Sequence, residues 1–467
     1  MRRLLGPWPG RGSRRSFAGA GACLTVAMVA FGAATALGQD ASAKAKAAEE
    51  TKAPEQAPAK PAEEAPTPPE EAPKPAYDPF TAPTLTGDWF GLGDDMRDAG
   101  INLQYFWNSH FMGVMGGGRT TDGGTKHSAT YDLFLNLDFD KMGLIPGGSM
   151  LVQARQQWGA GVNPWTGATQ QINDDADGNR SIYIDQLYYN QRFLDNKINF
   201  QVGYLDYQTI VDRNAYANSE DKQFMNAVFD NNPLIPTASA TGLGAALTIQ
   251  PCEWYSVLVG AGDAQRLPLY KPGFSTTFHD EAWFLFYNEH RFHVKIPTDK
   301  GPLPGNYRVG LVYDPSPRRL YTDPRFPVRA RRDGNDVGFY LSFDQMLLRE
   351  NDKDDQGLGG FFRYAYRHRD RYRFNNFWSL GTAYKGLIPE RDKDVVGFAV
   401  GQLVDSDDYR NYVSAASGDE TYYELYYSIQ VTPWLAITPD IQYVDNPGGN
   451  DSISHAWAGG VRLRVAF

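Results

Sequence analysis

The closing stretch Trp457-Ala458-Gly459-Gly460-Val461-Arg462-Leu463-Arg464-Val465-Ala466-Phe467 decides the fold. Trp457, Val461, Leu463, Val465 and Phe467 share one parity, and Arg462 and Arg464 take the other. A period of two belongs to a strand, whose successive side chains leave on opposite faces. A wholly apolar face backed by two cations suits a wall between lipid and a watery lumen.

The same alternation recurs upstream. Tyr423, Leu425, Tyr427, Ile429 and Val431 oppose Glu424, Tyr426, Ser428 and Gln430; Tyr131, Leu133, Leu135, Leu137 and Phe139 oppose Asp132, Asn136, Asp138 and Asp140. Further candidates run near 102–111, 148–158, 182–193, 197–205, 241–250, 254–262, 281–291, 305–314, 336–347, 358–368, 376–385, 394–404 and 435–444, sixteen strands in all. Each is about the length that crosses a bilayer at a tilt, and the count is even. The expected fold is therefore all-β, a transmembrane antiparallel barrel. A soluble sandwich also alternates and turns at Gly and Pro. It would not set apolar residues on one face of sixteen successive strands beside such polar opposite faces. An aromatic residue closing the last strand resembles the signal read by the outer-membrane barrel assembly machinery.

Connections are expected to alternate. Short turns fall at 194–196, 251–253 and 432–434, and long loops at 112–128, 159–181, 206–240, 263–280, 315–335 and 405–420. Outer-membrane barrels put the short turns in the periplasm and the long loops outside.

The 467-residue chain has a net charge of −10, which suggests no nucleic-acid partner, and a mean hydropathy of −0.48. No later stretch of about eighteen apolar residues could make a spanning helix. Residues 1–39 combine Arg2, Arg3, Arg11, Arg14 and Arg15 with an apolar run from Ala18 to Leu37, the pattern of a secretory signal peptide. Ser13-Arg14-Arg15-Ser16-Phe17 also fits a twin-arginine motif, but a barrel cannot fold before it reaches its membrane. Residues 40–83 are nearly all Ala, Pro, Glu and Lys, too polar to bury a core, and read as a disordered, extended spacer. A plain tether and a contact with peptidoglycan both remain open for it. The barrel is expected over 84–467. Of two cysteines, Cys23 leaves with the signal, so Cys252 has no partner.

Four segments carry a family resemblance. Leu85-Thr86-Gly87-Asp88-Trp89-Phe90-Gly91 with Asp98-Ala99-Gly100-Ile101 opens the barrel region. Gly338-Phe339-Tyr340-Leu341, Asp344-Gln345 and Gly357-Leu358-Gly359-Gly360-Phe361-Phe362-Arg363 lie near its centre. Gln430-Val431-Thr432-Pro433-Trp434-Leu435, Pro439-Asp440-Ile441-Gln442-Tyr443-Val444 and Asn446-Pro447-Gly448-Gly449 lie near its end. Together they resemble the carbohydrate-selective outer-membrane porins of the OprB type. The resemblance implies a passive channel for glucose and related small sugars, working without ATP or a plug. It leaves a monomer and a homotrimer equally open. The long spacer and the basic loop 318–332 depart from the family's pattern.

Sugar passage needs groups that exchange hydrogen bonds with hydroxyls, and aromatic faces for a pyranose to slide against. By parity the lumen candidates are Gln153, Arg155, Gln157, Arg308, Arg363, Arg367, Glu424, Tyr426, Gln430, Asp440, Gln442, Arg462 and Arg464. The loop 206–240 follows the fifth strand and offers Asp206, Asp212, Glu220, Asp221 and Asp230 to a constriction, with an acidic side facing a basic wall across the pore. Arg318, Arg319, Arg325, Arg329, Arg331 and Arg332 cluster in one external loop, suited to acidic solutes or to lipopolysaccharide. That makes a general or anion-preferring porin one alternative, and a structural, wall-tethering barrel another. A short helix is expected over Asp88–Ala99, with Trp89, Leu92 and Met96 on one face.

No enzyme, cofactor or metal site is expected. The seven histidines are scattered, and Asn173, Asp175, Asp177 and Gly178 echo a calcium loop whose twelfth position is Ile184 rather than a carboxylate. A lipase-like barrel would need a Ser and a His paired on its outer rim, and no sequence feature marks one.

Overall fold

The computed structural model describes residues 77–175, 178–235, 241–264, 283–321, 332–413 and 417–467. The expected signal and residues 40–76 of the spacer lie outside them, whereas residues 77–83, expected as disordered spacer, form turns bonded to the barrel region: the Pro79 carbonyl accepts the Trp434 indole N–H at 2.6 Å and the Tyr77 hydroxyl donates to the Leu85 carbonyl at 2.5 Å. Sixteen antiparallel strands close into one barrel. They are β1 (Ile101–Gly118), β2 (Thr125–Asp138), β3 (Gly148–Gly159), β4 (Arg180–Phe193), β5 (Ile198–Asp206), β6 (Thr241–Cys252), β7 (Tyr255–Asp263), β8 (Phe284–Ile296) and β9 (Leu303–Asp314), then β12 (Asp336–Arg349), β13 (Gly357–Tyr366), β14 (Phe374–Lys385), β15 (Val395–Asp405), β16 (Glu420–Thr432), β17 (Leu435–Asp445) and β18 (Ser454–Ala466). A two-residue ribbon, β10 (Arg318–Arg319) with β11 (Arg332–Asp333), lies between β9 and β12.

Each strand pairs with its sequence neighbours, and β1 pairs with β18 from Phe106↔Ala466 to Gly118↔Ser454. Closure leaves no edge of unpaired backbone groups. Phe467 joins the seam, its N–H donating to the Tyr105 carbonyl at 3.0 Å and its ring lying 4.9 Å from that of Tyr105.

The period of two holds along the wall. On β12 Tyr340, Ser342 and Asp344 turn inward and are buried, while Val337 and Phe339 are exposed on the outside. Leu311, Leu380, Phe398, Leu425 and Ile441 continue that exposed apolar belt. Tyr443 packs its ring against Tyr423 and Trp457 on the same face, at 5.9 and 4.7 Å. No helix among the described residues is long and apolar enough to cross a membrane.

Three expectations are corrected. The loop expected at 112–128 shrinks to residues 119–124, because β1 runs on to Gly118. Gly116, Gly117 and Gly118 carry no apolar alternation, yet their backbone pairs with β18. Strict alternation of short and long connections also fails, since residues 139–147 and 386–394 are long on the short-turn end and 367–373 is short on the other. The helix expected over Asp88–Ala99 splits into Gly87–Phe90 and Gly93–Asp98. Asp88, Trp89 and Phe90 take φ of 59, 57 and 61°, a left-handed turn that costs energy for side-chain residues. Thr84 and Thr86 hydroxyls accept the N–H groups of Asp88 and Trp89, and the Trp89 indole donates to the Leu103 carbonyl at 2.8 Å. Arg97 grips the Asp88 carboxylate, and their hydrogen bond holds its pKa below the ordinary value.

Candidate functional site

The connection after β5 turns into the barrel. Tyr207 opens it, lying over Gly244 and Gly262, where a Cβ would meet the ring; its hydroxyl donates to the Leu243 carbonyl at 3.1 Å. Phe224, Met225, Val228 and Phe229 are wholly buried against the inner wall. An apolar run on a loop needs cover, and the wall supplies it as aromatic rings. Phe224 lies 5.8 Å from Phe361 on β13 and 5.0 Å from Tyr426 on β16. Those wall aromatics lie over neighbouring glycines, Tyr426 over Gly397 and Phe361 over Gly381.

Polar groups then lock the loop. The Glu424 carboxylate accepts the N–H of Met225 at 2.5 Å and of Asn226 at 3.0 Å, at the start of the short helix Ala227–Asp230. The Asn226 amide donates to Gln442 at 2.9 Å. Arg363 donates to the carbonyls of Phe229 and Asp212, at 2.5 and 3.1 Å, and pairs with the Asp212 carboxylate at 3.1 Å. Arg462 donates to the carbonyls of Glu220 and Gln223, at 2.7 and 2.9 Å, and Arg367 to that of Leu234 at 3.4 Å. The loop after β3 joins it: Asp174 N–H donates to the Met225 carbonyl and Ala227 N–H to that of Gln171, each at 2.9 Å.

These contacts change what several lumen candidates do. Arg363, Arg367, Glu424, Tyr426, Gln442 and Arg462 point inward, yet all are buried beneath the loop and hold it instead of facing water. Gln153 is bonded within the wall, to Asp132 and Gln186, and Gln157 is also buried. Arg308 pairs with Asp344 at 2.6 Å, and Asp440 accepts from Gln442 at 2.9 Å. Gln430 sits by the β16–β17 turn, donating to the Thr432 carbonyl at 2.7 Å. Arg155, Glu220, Asp221 and Arg464 stay partly exposed, with side chains 16–25 % accessible.

The acidic loop does not face its basic wall across a gap. Glu220 touches Arg155 at 3.0 Å, Asp221 touches Arg464 at 2.8 Å and Asp212 touches Arg363, because the loop lies directly on the wall. Burial would raise the Asp221 carboxyl, but Arg464, Lys222 and the Ser219 hydroxyl bring it down to about 2. At Asp212 burial outweighs Arg363 and the pKa is pushed up to about 6. Asp230 is raised by burial and by nearby Glu220 and Asp174, while Asp206 ends β5 and caps the Gln208 N–H at 2.9 Å. In the basic loop Arg318 pairs with Asp314 at 2.5 Å and stacks on Tyr372, and Arg319 stacks on Tyr412. Arg325, Arg329, Arg331 and the side chain of Arg332 lie outside the described residues.

Two serine–histidine pairs went unmarked by sequence. Ser109 and His127 meet at 2.8 Å on the outer face; Ser256 and His293 meet at 3.0 Å on the inner face, with Asn306 behind His293 at 2.9 Å. Ser109 is 0 % and Ser256 3 % exposed, so neither hydroxyl is offered to a solute. Among the described residues no group of three His, Cys, Asp or Glu could hold a metal ion.

The parity count also passed over an open recess of about 620 Å³ at the short-turn end. Asn102, Asn136, Ser149, Asn190 and Asn199 line it, with Arg97, Lys141 and Arg192 beside them. Their inward parity was the available signal.

A closed sixteen-strand barrel narrowed by a loop folded onto its inner wall is the architecture of a porin. Residues 124–467 match the family described as carbohydrate-selective porin, OprB family, and the chain belongs to that family. It forms a carbohydrate channel of the outer membrane. Porin B of Pseudomonas aeruginosa is 21% identical over 425 residues, covering 82% of this chain and 91% of that one. The putative porin QuiX of Acinetobacter baylyi is 27% identical over 195 residues, 35% of this chain and 41% of that one. The high-pH structure of Pseudomonas putida OprB shares the fold at a TM-score of 0.75 and 19% identity, covering 83% of this chain and 99% of that one.

Proposed function

We propose that neutral sugars the size of glucose or maltose diffuse through this lumen into the periplasm, passing a constriction rimmed by Arg155, Glu220, Asp221 and Arg464. The pairing of these charges carries the reading. A pore wall of unpaired charge concentrates counter-ions. Arg155 beside Asp132, Asp175 and Glu220, and Arg464 beside Asp221, set cations and carboxylates in direct contact, so the wall presents paired donors and acceptors rather than a run of like charge. Such a wall can exchange hydrogen bonds with hydroxyls without holding the solute. Single-channel current through the purified barrel, titrated with glucose and maltose, tests it. Saturable block supports sugar passage, and a large current that no sugar reduces would make this a general pore.

Arg213 favours a second reading, an anion preference. The residue is exposed and makes no ion pair among the described residues, with the like charges of Arg291 and Arg308 nearby. A reversal potential measured in a KCl gradient decides between the two: near-zero selectivity fits the paired wall, and strong anion selectivity lost in Arg213→Gln fits the second.

Residues 1–39 would direct export, and residues 40–83 would tether the barrel to the cell wall, as their compositions suit. Deleting 40–76, which leaves the barrel-bound residues 77–83 in place, should weaken the envelope without changing conductance if the tether is their role.

A further inference from the structure

The geometry points to a second sugar site, a pyranose-binding shelf in the recess at the short-turn end of the barrel. The inference rests on sugar passage through the lumen. Its floor takes one inward residue from each of five consecutive strands: Asn102, Asn136, Ser149, Asn190 and Asn199. Asn102 lies opposite Asn136, and Ser149 opposite Asn190, so each pair sits at one height across adjacent strands.

Their hydrogen-bonding capacity is largely unused. Among the described residues the side-chain amides of Asn102 and Asn136 make no hydrogen bond, the Asn199 Oδ1 is buried without a partner, and Asn190 gives only a 3.3 Å bond to Ser149. Each amide offers two donors and an acceptor in one plane, which matches the neighbouring hydroxyls of a sugar. Phe134 stands one inward step above Asn136 on β2, about 7 Å along the strand. Its ring, partly exposed and 6.1 Å from that of Phe106, offers a surface for the C–H face of a pyranose.

Charge argues for a neutral ligand. Arg97 is committed to Asp88 and Asp94, and Lys141 donates to the Arg97 carbonyl at 3.0 Å. Lys141 and Arg192 make no ion pair among the described residues and stand against the Asp138 carboxylate, which also lines the recess; Arg192, with its buried Nε unpartnered, can give one further donor to a ring or hydroxyl oxygen. The recess volume of about 620 Å³ lies within the usual range for small-ligand sites. A weak site here gives the sugar a second resting place after the constriction, and several weak sites allow both entry and release.

The test uses the full barrel inserted in one orientation in a planar bilayer, with maltose added to one side at a time. Addition at the short-turn side should block the current at a concentration raised about tenfold by the double variant Asn102→Leu, Asn136→Leu. Block from the loop side and the current in salt alone should stay within about twofold of wild type. If the double variant does not insert, Asn136→Ala alone should show about a threefold increase. Unchanged block from the short-turn side overturns the shelf while leaving sugar passage intact. Absence of block from either side in the wild type overturns sugar passage and the shelf together. Block by glucuronate far stronger than by glucose, abolished in Arg192→Gln, overturns the neutral assignment.

Discussion

Glu424 stands on the inner wall of β16 with both carboxylate oxygens committed to the N–H groups of Met225 and Asn226. Leaving two buried N–H donors without an acceptor costs about 1–3 kcal/mol each. Glu424→Ala is expected to free the loop, giving a larger and noisier single-channel current; an unchanged current would refute this anchoring role. Protonation acts on the same loop. Asp212 titrates near 6 in the docked loop against an ordinary 3.8, so the docked state binds the proton more tightly. The stability this lends is fully present below 3.8 and is lost as pH rises through 6. Asp230 is raised too and has the same sign. Asp221 has the opposite sign, but its change lies between 3.8 and about 2. Open-channel noise should therefore rise from pH 4 to pH 7 and rise less in Asp212→Asn; a flat profile in the wild type would contradict the assignment.

At the scale of elements, β13 shows what a motif encodes. Gly359 leaves room for the Tyr216 ring of the inward loop, which a Cβ would meet at 1.9 Å. Phe361 packs on Phe224, and Arg363 binds Asp212 and the Phe229 carbonyl. Gly359→Val should displace the loop and enlarge the conductance while the barrel still folds, a separation readable by comparing current with the heat-dependent gel mobility of the folded form. The sequence made β13 legible as a strand and Arg363 as inward, because alternation reports which face a residue takes. It could not say that Arg363 would lie under a loop, since parity carries no information about what covers the inner face. The extension of β1 through Gly116–Gly118 was illegible for a related reason: pairing there is made by backbone alone. The broken helix at Asp88 depends on threonine caps and the Arg97 pair, and apolar spacing is blind to both. The asparagine row carried the right parity, but only the register brings its members to one height.

For the whole molecule, the outer belt and inner wall respond to opposite chemistry. Leu425, exposed on the outer face, is expected to tolerate apolar replacement but not charge. Leu425→Arg should cost about 2–4 kcal/mol near the bilayer midplane, measured by denaturant unfolding in lipid. A cost near zero would place that face outside the membrane. The anchors of the inward loop have a further consequence. The loop lies between β5 and β6, yet it is fastened by Arg363, Glu424, Gln442 and Arg462 from β13, β16, β17 and β18. Glu424 and Asn226 are 198 residues apart, and Arg462 and Glu220 242. Such distant contacts form late. While those strands are still being added, the nascent wall carries an aperture without its filter. Selectivity thus arrives only with the final strands, and any stalled insertion intermediate would be a leak.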